Sequence, residues 1–150
     1  MTDIGTPFEI APRVYFGPAS HTWHAHTMTP FTHVVNCDSV PTSTGPPGRA
    51  KRVLFLKSDD DEMFPILERH YPTLRAFIDE ALSSDPKAQV YIHCHAGVNR
   101  SAALACAYAC EVLGEPAAAL VDHVRRATRR LILTNEAFYR ALCQHFPHKE

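Results

Sequence analysis

His93-Cys94-His95-Ala96-Gly97-Val98-Asn99-Arg100-Ser101 is the stretch that decides how this chain folds. It follows a short apolar, β-branched run, Val90-Tyr91-Ile92, and precedes an alanine-rich stretch from Ala102 to Leu113. The expected order is strand, tight loop, helix. A loop at a helix entrance turns its free backbone N–H groups inward, and the helix dipole adds partial positive charge there. Such a nest of amides binds a tetrahedral oxyanion. Gly97 lets the backbone curl without a Cβ penalty. Arg100 offers a planar, two-pronged grip to anionic oxygens. Cys94 lies in the same positive field, so its thiol is expected to ionise more readily than that of a free cysteine. A phosphate seated here would hold its phosphorus beside sulfur.

Residue types, spacing and context together resemble the His-Cys-x5-Arg-Ser/Thr signature of the cysteine-dependent protein tyrosine phosphatases. Within that superfamily His-Cys-His-Ala-Gly-Val-Asn-Arg-Ser is most similar to the small dual-specificity phosphatases, and Ala-Gly-Val-Asn-Arg-Ser looks like the poxvirus-type version. Sulfur transferases also place a cysteine at a helix start, but the loop they bring to mind is one residue shorter.

Size and composition agree with one catalytic domain over residues 1–150. Hydrophobic residues make up 45% and charged residues 21%, as in an ordinary globular protein. A net charge of −1 gives no bulk electrostatic case for nucleic acid or a membrane surface. The first residues lack the basic and apolar regions of a signal peptide, and no apolar run approaches the ~20 residues that cross a bilayer. Five cysteines without framework spacing suit a reducing compartment, so an intracellular, cytoplasmic protein is expected.

Along the chain, residues 1–12 read as polar and turn-rich, and Arg13-Val14-Tyr15-Phe16 as a short strand stopped by Gly17-Pro18. His21, His24 and His26 cluster around Trp23. No cysteine or carboxylate joins them at ligand spacing, which favours a segment docking Trp23 over a metal site. His33 to Cys37 reads as a buried strand. Asp38 to Lys51, with three prolines and two glycines, reads as a surface loop, either mobile or touching substrate. Val53 to Leu56 is apolar on both faces, as a central strand would be. Leu67, Tyr71, Leu74, Phe77 and Ile78 mark one face of a helix ending near Leu82 and interrupted by Pro72. Cys106 and Cys110 read as core of the helix after the motif. Gly114 and Pro116 separate that helix from one over 117–127. The cations Arg125, Arg126, Arg129 and Arg130 are either a solvated helix end or a basic rim that attracts phosphorylated substrate. Thr134-Asn135 caps a last helix, Glu136 to His145. The alternation predicts an α/β fold, a central mostly parallel sheet flanked by helices on both faces.

Between the fourth run and its helix lies Lys57-Ser58-Asp59-Asp60-Asp61-Glu62. Carboxylates favour a helix N-terminus, and one of them can also serve as a general acid for a departing alkoxide or phenoxide. The resemblance implies the second role, because dual-specificity phosphatases carry an aspartate in this loop. The family's spacing, six residues before the first apolar residue of the helix face, gives Asp61 when counted from Leu67 and Asp60 when counted from Ile66. The Leu67 register keeps Tyr71 and Phe77 inward and favours Asp61.

The resemblance implies a mechanism. Cys94 attacks phosphorus, the loop from His95, Ala96, Gly97, Val98 and Asn99 to Arg100 holds the equatorial oxygens, Asp61 protonates the leaving oxygen, and Ser101 donates its hydroxyl to the Cys94 sulfur. His93 holds the loop through hydrogen bonds. No metal or other cofactor is required. The short chain leaves no room for the loops that deepen a tyrosine-specific pocket, which implies phosphotyrosine and phosphoserine or phosphothreonine on protein substrates. Phosphoinositide phosphatases put lysines in the loop, which this chain lacks. The alternatives are an RNA 5′-triphosphatase, suggested by Asn99 before the arginine, and a phosphate-binding module without useful turnover. The short segment before Val14 leaves little for a dimerisation helix, so a monomer is expected. Peroxide is expected to inactivate the enzyme reversibly through a sulfenic acid on Cys94.

Overall fold

The computed structural model describes residues 7–23, 28–41, 50 and 52–148. Five strands, β1 (Phe8–Ala11), β2 (Val14–Pro18), β3 (His33–Asn36), β4 (Arg52–Phe55) and β5 (Val90–Cys94), form one sheet in the order β1-β2-β5-β3-β4. The helices are α1 (Ile66–Ser84), α2 (Arg100–Leu113), α3 (Ala117–Thr128) and α4 (Glu136–His145). Only β1 runs antiparallel to its neighbour. It forms a hairpin with β2 through Arg13, whose φ is +67°. This strand falls in the stretch expected to be turn-rich. The Arg13 guanidinium donates to the carbonyls of Leu82, Asp85 and Pro86, tying the hairpin to the end of α1.

β5 is central and buried along its whole length. That position explains its apolar β-branched sequence, because parallel strands between two neighbours have no solvent face. In a strand successive side chains alternate faces. Val14, Phe16, Val35, Val90 and Ile92 point to a core shared with Leu74 and Ile78 of α1, the alanines of α2, Leu120, Val121 and Val124 of α3, and Phe138 and Leu142 of α4. Tyr91 and Val34 point the other way and pack with Met28 and Phe31, with Tyr15 against them. The four helices therefore gather on one face, rather than dividing between two. On the opposite face Phe31 stacks on Tyr91 at 5.0 Å, and the segment before β3 supplies the cover.

The fourth strand also departs from expectation. β4 is an edge, not a centre, and Val53 and Phe55 are 52% and 38% exposed. An apolar run alone does not distinguish an exposed edge strand from a buried central one. The helix expected to end near Leu82 continues to Ser84 and passes through Pro72. The proline sits in the second turn, where its missing N–H leaves only the Glu68 carbonyl without a helical donor. α2 stops at Gly114, whose φ of +70° closes the helix with its N–H on the Cys110 carbonyl. Cys106 and Cys110 are core, as read. His24, His26 and residues 42–49 lie outside the described residues, as do the side chains of His21 and Trp23. Among the described residues no single helix is long and apolar enough to cross a membrane.

Candidate active site

The sheet brings the ends of β2, β3 and β5 to one edge, and α2 starts there. Cys94 closes β5 and Arg100 opens α2, with five residues between them. The loop's carbonyls are drawn outward by its surroundings. His95 accepts from the Ala19 N–H at 3.1 Å, Ala96 from Arg130 Nη2 at 3.1 Å, Val98 from the Leu133 N–H at 2.8 Å and Asn99 from the Ala103 N–H at 2.8 Å. A planar trans peptide points its C=O and the following N–H in opposite directions. The N–H groups of Ala96, Gly97, Asn99 and Arg100 therefore turn inward, and the loop forms a cup lined by donors. Gly97 has φ +71°, and a Cβ there would meet the Gly17 carbonyl carbon at 2.5 Å and the Pro18 nitrogen at 2.6 Å. Only glycine allows this approach.

Cys94 lies at the base of the cup, 2% exposed. Its Sγ is 3.3 Å from Ser101 Oγ, which also lies 3.5 Å from the Gly17 carbonyl oxygen. Arg100 is held from one side. Its Nη1 donates to Asp38 Oδ1 and to the Ser58 carbonyl, both at 3.2 Å. Its Nε is buried and has no partner among the described residues. Leaving a charged donor unmet in the interior costs about 1–3 kcal/mol or more. A guanidinium anchored by one edge with its Nε unmet is arranged to receive an anion.

By composition Asp38 is only the start of a surface loop. It is buried, and its position is set by the turn after β3: its N–H donates to Asn36 Oδ1 at 2.8 Å, and its Oδ1 accepts the Ser39 N–H at 2.7 Å. The clue was its place directly after a buried strand, at the carboxyl edge of a parallel sheet, where ligands bind.

The acidic loop reaches the cup through Asp60. Its Oδ2 accepts Asn99 Nδ2 and its Oδ1 accepts Asn135 Nδ2, each at 3.0 Å. Asp61 is exposed and its Oδ1 accepts the Met63 N–H at 2.6 Å, so this carboxylate makes no bond to the cup. Three of the four arginines have distinct roles. Arg125 donates to the carbonyls of Ile132 and Leu133, Arg130 to the loop, and Arg126 pairs with Asp122 on the surface. Leu133 takes φ +60° and places its N–H on the Val98 carbonyl. The segment after α3 thus braces the loop from outside, a role between distant residues that spacing alone does not reveal.

His93 differs from expectation as well. Neither ring nitrogen has a hydrogen-bond partner among the described residues, and the ring stacks on Tyr91 at 5.8 Å. Burial lowers its pKa from 6.5 to about 4, against the opposing pull of Asp38. The folded state therefore favours the neutral ring, and an unfolded chain takes up the proton more readily. The stability this contributes is complete above pH 6.5 and is lost as pH falls toward 4. Denaturant midpoints are expected to show a loss of about 2 kcal/mol between pH 7.5 and 5, and His93→Gln is expected to remove that part of the pH dependence.

Residues 14–147 match the family model described as the dual specificity phosphatase catalytic domain. Similar solved structures include the human tyrosine phosphatase-like serine/threonine/tyrosine-interacting protein, at 26% identity and a TM-score of 0.77 over 93% of this chain and 94% of that one. Human DUSP28 is similar at 22% identity and 0.78, over 93% and 92%. OH1 from the Orf virus, a tyrosine phosphatase, is similar at 22% and 0.71, over 93% and 86%. With cysteine, arginine and donor-lined cup all in place, the chain belongs to the dual-specificity phosphatase family and is a cysteine-dependent protein phosphatase.

Proposed function

We propose that this phosphatase hydrolyses phosphotyrosine and phosphoserine or phosphothreonine on protein substrates, with Cys94 as nucleophile, Arg100 and the loop amides as phosphate grip, and Asp61 as general acid. The observation that carries the reading is the Arg100 guanidinium, fixed by Asp38 and Ser58 with Nε unmet, beside a cysteine that touches Ser101. In the first step a bond forms between Cys94 Sγ and phosphorus as the bond to the leaving oxygen breaks, and Asp61 gives that oxygen its proton. In the second, water attacks phosphorus, Asp61 takes the water's proton, and the sulfur leaves while Ser101 Oγ donates to it. The inward amides and Arg100 meet charge on the equatorial oxygens throughout.

Asp61→Asn tests the acid. Its kcat is expected to fall about 10²-fold or more with phenyl phosphate, and far less with p-nitrophenyl phosphate, whose phenolate leaves without help. Alkylation of Cys94 is expected to be unchanged. Full activity of the variant on both esters would remove Asp61 from the mechanism. A panel of phosphotyrosine peptide, phosphothreonine peptide and triphosphorylated RNA assigns the substrate class. Asn99, the residue that suggested an RNA triphosphatase, spends its amide on Asp60, Thr134 and Asn135, so that alternative has no feature of its own here.

A further inference from the structure

Beside Cys94 stands a second cysteine that phosphate hydrolysis does not use. β3 and β5 run parallel, with Val35 paired to Ile92 and Asn36 to His93. One residue on, the Cys37 N–H donates to the His93 carbonyl at 2.7 Å, so the pairing continues past the end of β3 and sets Cys37 opposite Cys94. Side chains alternate faces along a strand. Val35 and Ile92 enter the core on the helix side of the sheet, and Cys37 and Cys94, two positions further, belong to that same core. The two thiols therefore lie side by side on one face of neighbouring strands. Backbones paired in this way run about 4.8 Å apart, inside the roughly 4.4–6.8 Å Cα separation that a disulfide spans. Both cysteines are free and buried. Cys37 is held in place from the other side, where the N–H groups of Leu56 and Ser58 donate to the Asn36 and Asp38 carbonyls at 2.8 and 3.2 Å. The remaining cysteines are set apart. Cys106 and Cys110 stand further up α2 from Ser101, about 7.5 and 13.5 Å along its axis, and Cys143 is on α4.

We propose that Cys37 is the resolving cysteine of a redox switch at the active site, closing a Cys37–Cys94 disulfide after a hydroperoxide has oxidised Cys94. This rests on the reading of Cys94 as the nucleophile. In the first step the Cys94 thiolate attacks one peroxide oxygen and the O–O bond breaks. Sulfur is oxidised to a sulfenic acid, and the hydroperoxide is reduced to water or an alcohol. In the second step Cys37 Sγ bonds to Cys94 Sγ, the S–O bond breaks, and hydroxide leaves with the Cys37 proton as water. An external dithiol reverses the change, becoming a disulfide itself and returning both cysteines to thiols. The disulfide silences the nucleophile but stops short of the sulfinic acid, from which thiols give no return. Electrostatics sort the two sulfurs. Burial raises the Cys37 pKa well above its ordinary value, and the charge of Cys94 raises it further, against the pull of Arg100. Cys37 therefore stays a thiol and leaves the peroxide to Cys94. Once Cys94 is a neutral sulfenic acid that repulsion is gone and the pull of Arg100 remains, so Cys37 is released to react at that moment.

The test is hydrogen peroxide treatment of the full chain, read by p-nitrophenyl phosphate turnover and by mapping of peptides digested without reductant. Cys37→Ser is expected to keep kcat within about threefold of wild type and to be inactivated at a rate within about threefold, because the first oxidation is at Cys94. Wild type taken to roughly a tenth of its activity is expected to recover most of it in dithiothreitol, with the Cys37 and Cys94 peptides joined beforehand. Cys37→Ser treated alike is expected to recover less than about a third and to carry sulfinic acid on Cys94. Cys143→Ser is expected to behave as wild type. Cys37→Ala replaces Cys37→Ser if the buried hydroxyl prevents folding.

Equal recovery of wild type and the Cys37 variant would overturn the switch, as would Cys94 joined to any other cysteine or to a second chain. So would a wild type that loses two hydrogens without joining the two peptides, the result of a sulfenamide on a backbone nitrogen. Peptide mapping does not depend on turnover. An inactive wild type that still joins Cys37 to Cys94 overturns the reading of Cys94 as nucleophile and keeps the disulfide, whereas an active wild type that never joins them overturns the switch alone.

Discussion

Cys94→Ser is expected to abolish turnover, with a loss on the order of 10⁴-fold or more measured as release of phosphate from p-nitrophenyl phosphate. The size follows from chemistry and placement together. A serine hydroxyl is a far weaker nucleophile than a cysteine near neutral pH. Among the described residues no base stands in hydrogen-bond reach of position 94 to activate it: the neighbour is Ser101 Oγ at 3.3 Å, and His93 on the same strand stacks on Tyr91 on the other side. The inward amides and Arg100 do not depend on the sulfur, so vanadate and substrate are expected to bind the variant with little change. A Cys94→Ser protein that keeps even a hundredth of wild-type turnover would exclude a covalent phosphocysteine.

Arg100→Ala is expected to cost roughly 10³-fold in kcat/KM, carried by both kcat and KM, as for other arginines that meet charge in phosphoryl transfer. The anchored geometry predicts that Arg100→Lys recovers little. Lysine can meet Asp38 or the phosphate, but it lacks the second edge that lets the guanidinium be tied at Nη1 while Nε faces the anion. Arg100→Ala also strands Asp38, which is buried and has Arg100 as its ion-pair partner at 3.2 Å. Removing one member of a buried pair is costly, so a loss of stability of about 3 kcal/mol is expected beside the loss of rate. Circular dichroism melts separate the two effects. If Arg100→Lys turned over near the wild-type rate, the fixed two-edged grip would be the wrong account of the site.

The sequence by itself determined the strand, loop and helix around Cys94, because those elements follow from contacts near in the chain. An apolar β-branched run, a glycine free to take positive φ, and an alanine helix entered by arginine each act over a few residues. The caps of α2 at Gly114 and α4 at Asn135 were readable for the same reason. The tertiary structure decided what depends on partners far apart in sequence. Asp38 reads as loop composition until the ends of β3 and β5 bring it against Arg100, 62 positions away. Asp60 and Asp61 are equivalent by type and nearly so by counting. They separate only when Asn99 and Asn135, 39 and 75 positions downstream, close on one of them. Whether an apolar strand is central or an edge depends on which strands pair on each side of it, and that is why β4 was misplaced while β5 was not. Local propensity carries information about backbone shape. Which carboxylate closes on the phosphate loop and which carbonyl is pulled outward are properties of the assembled sheet edge.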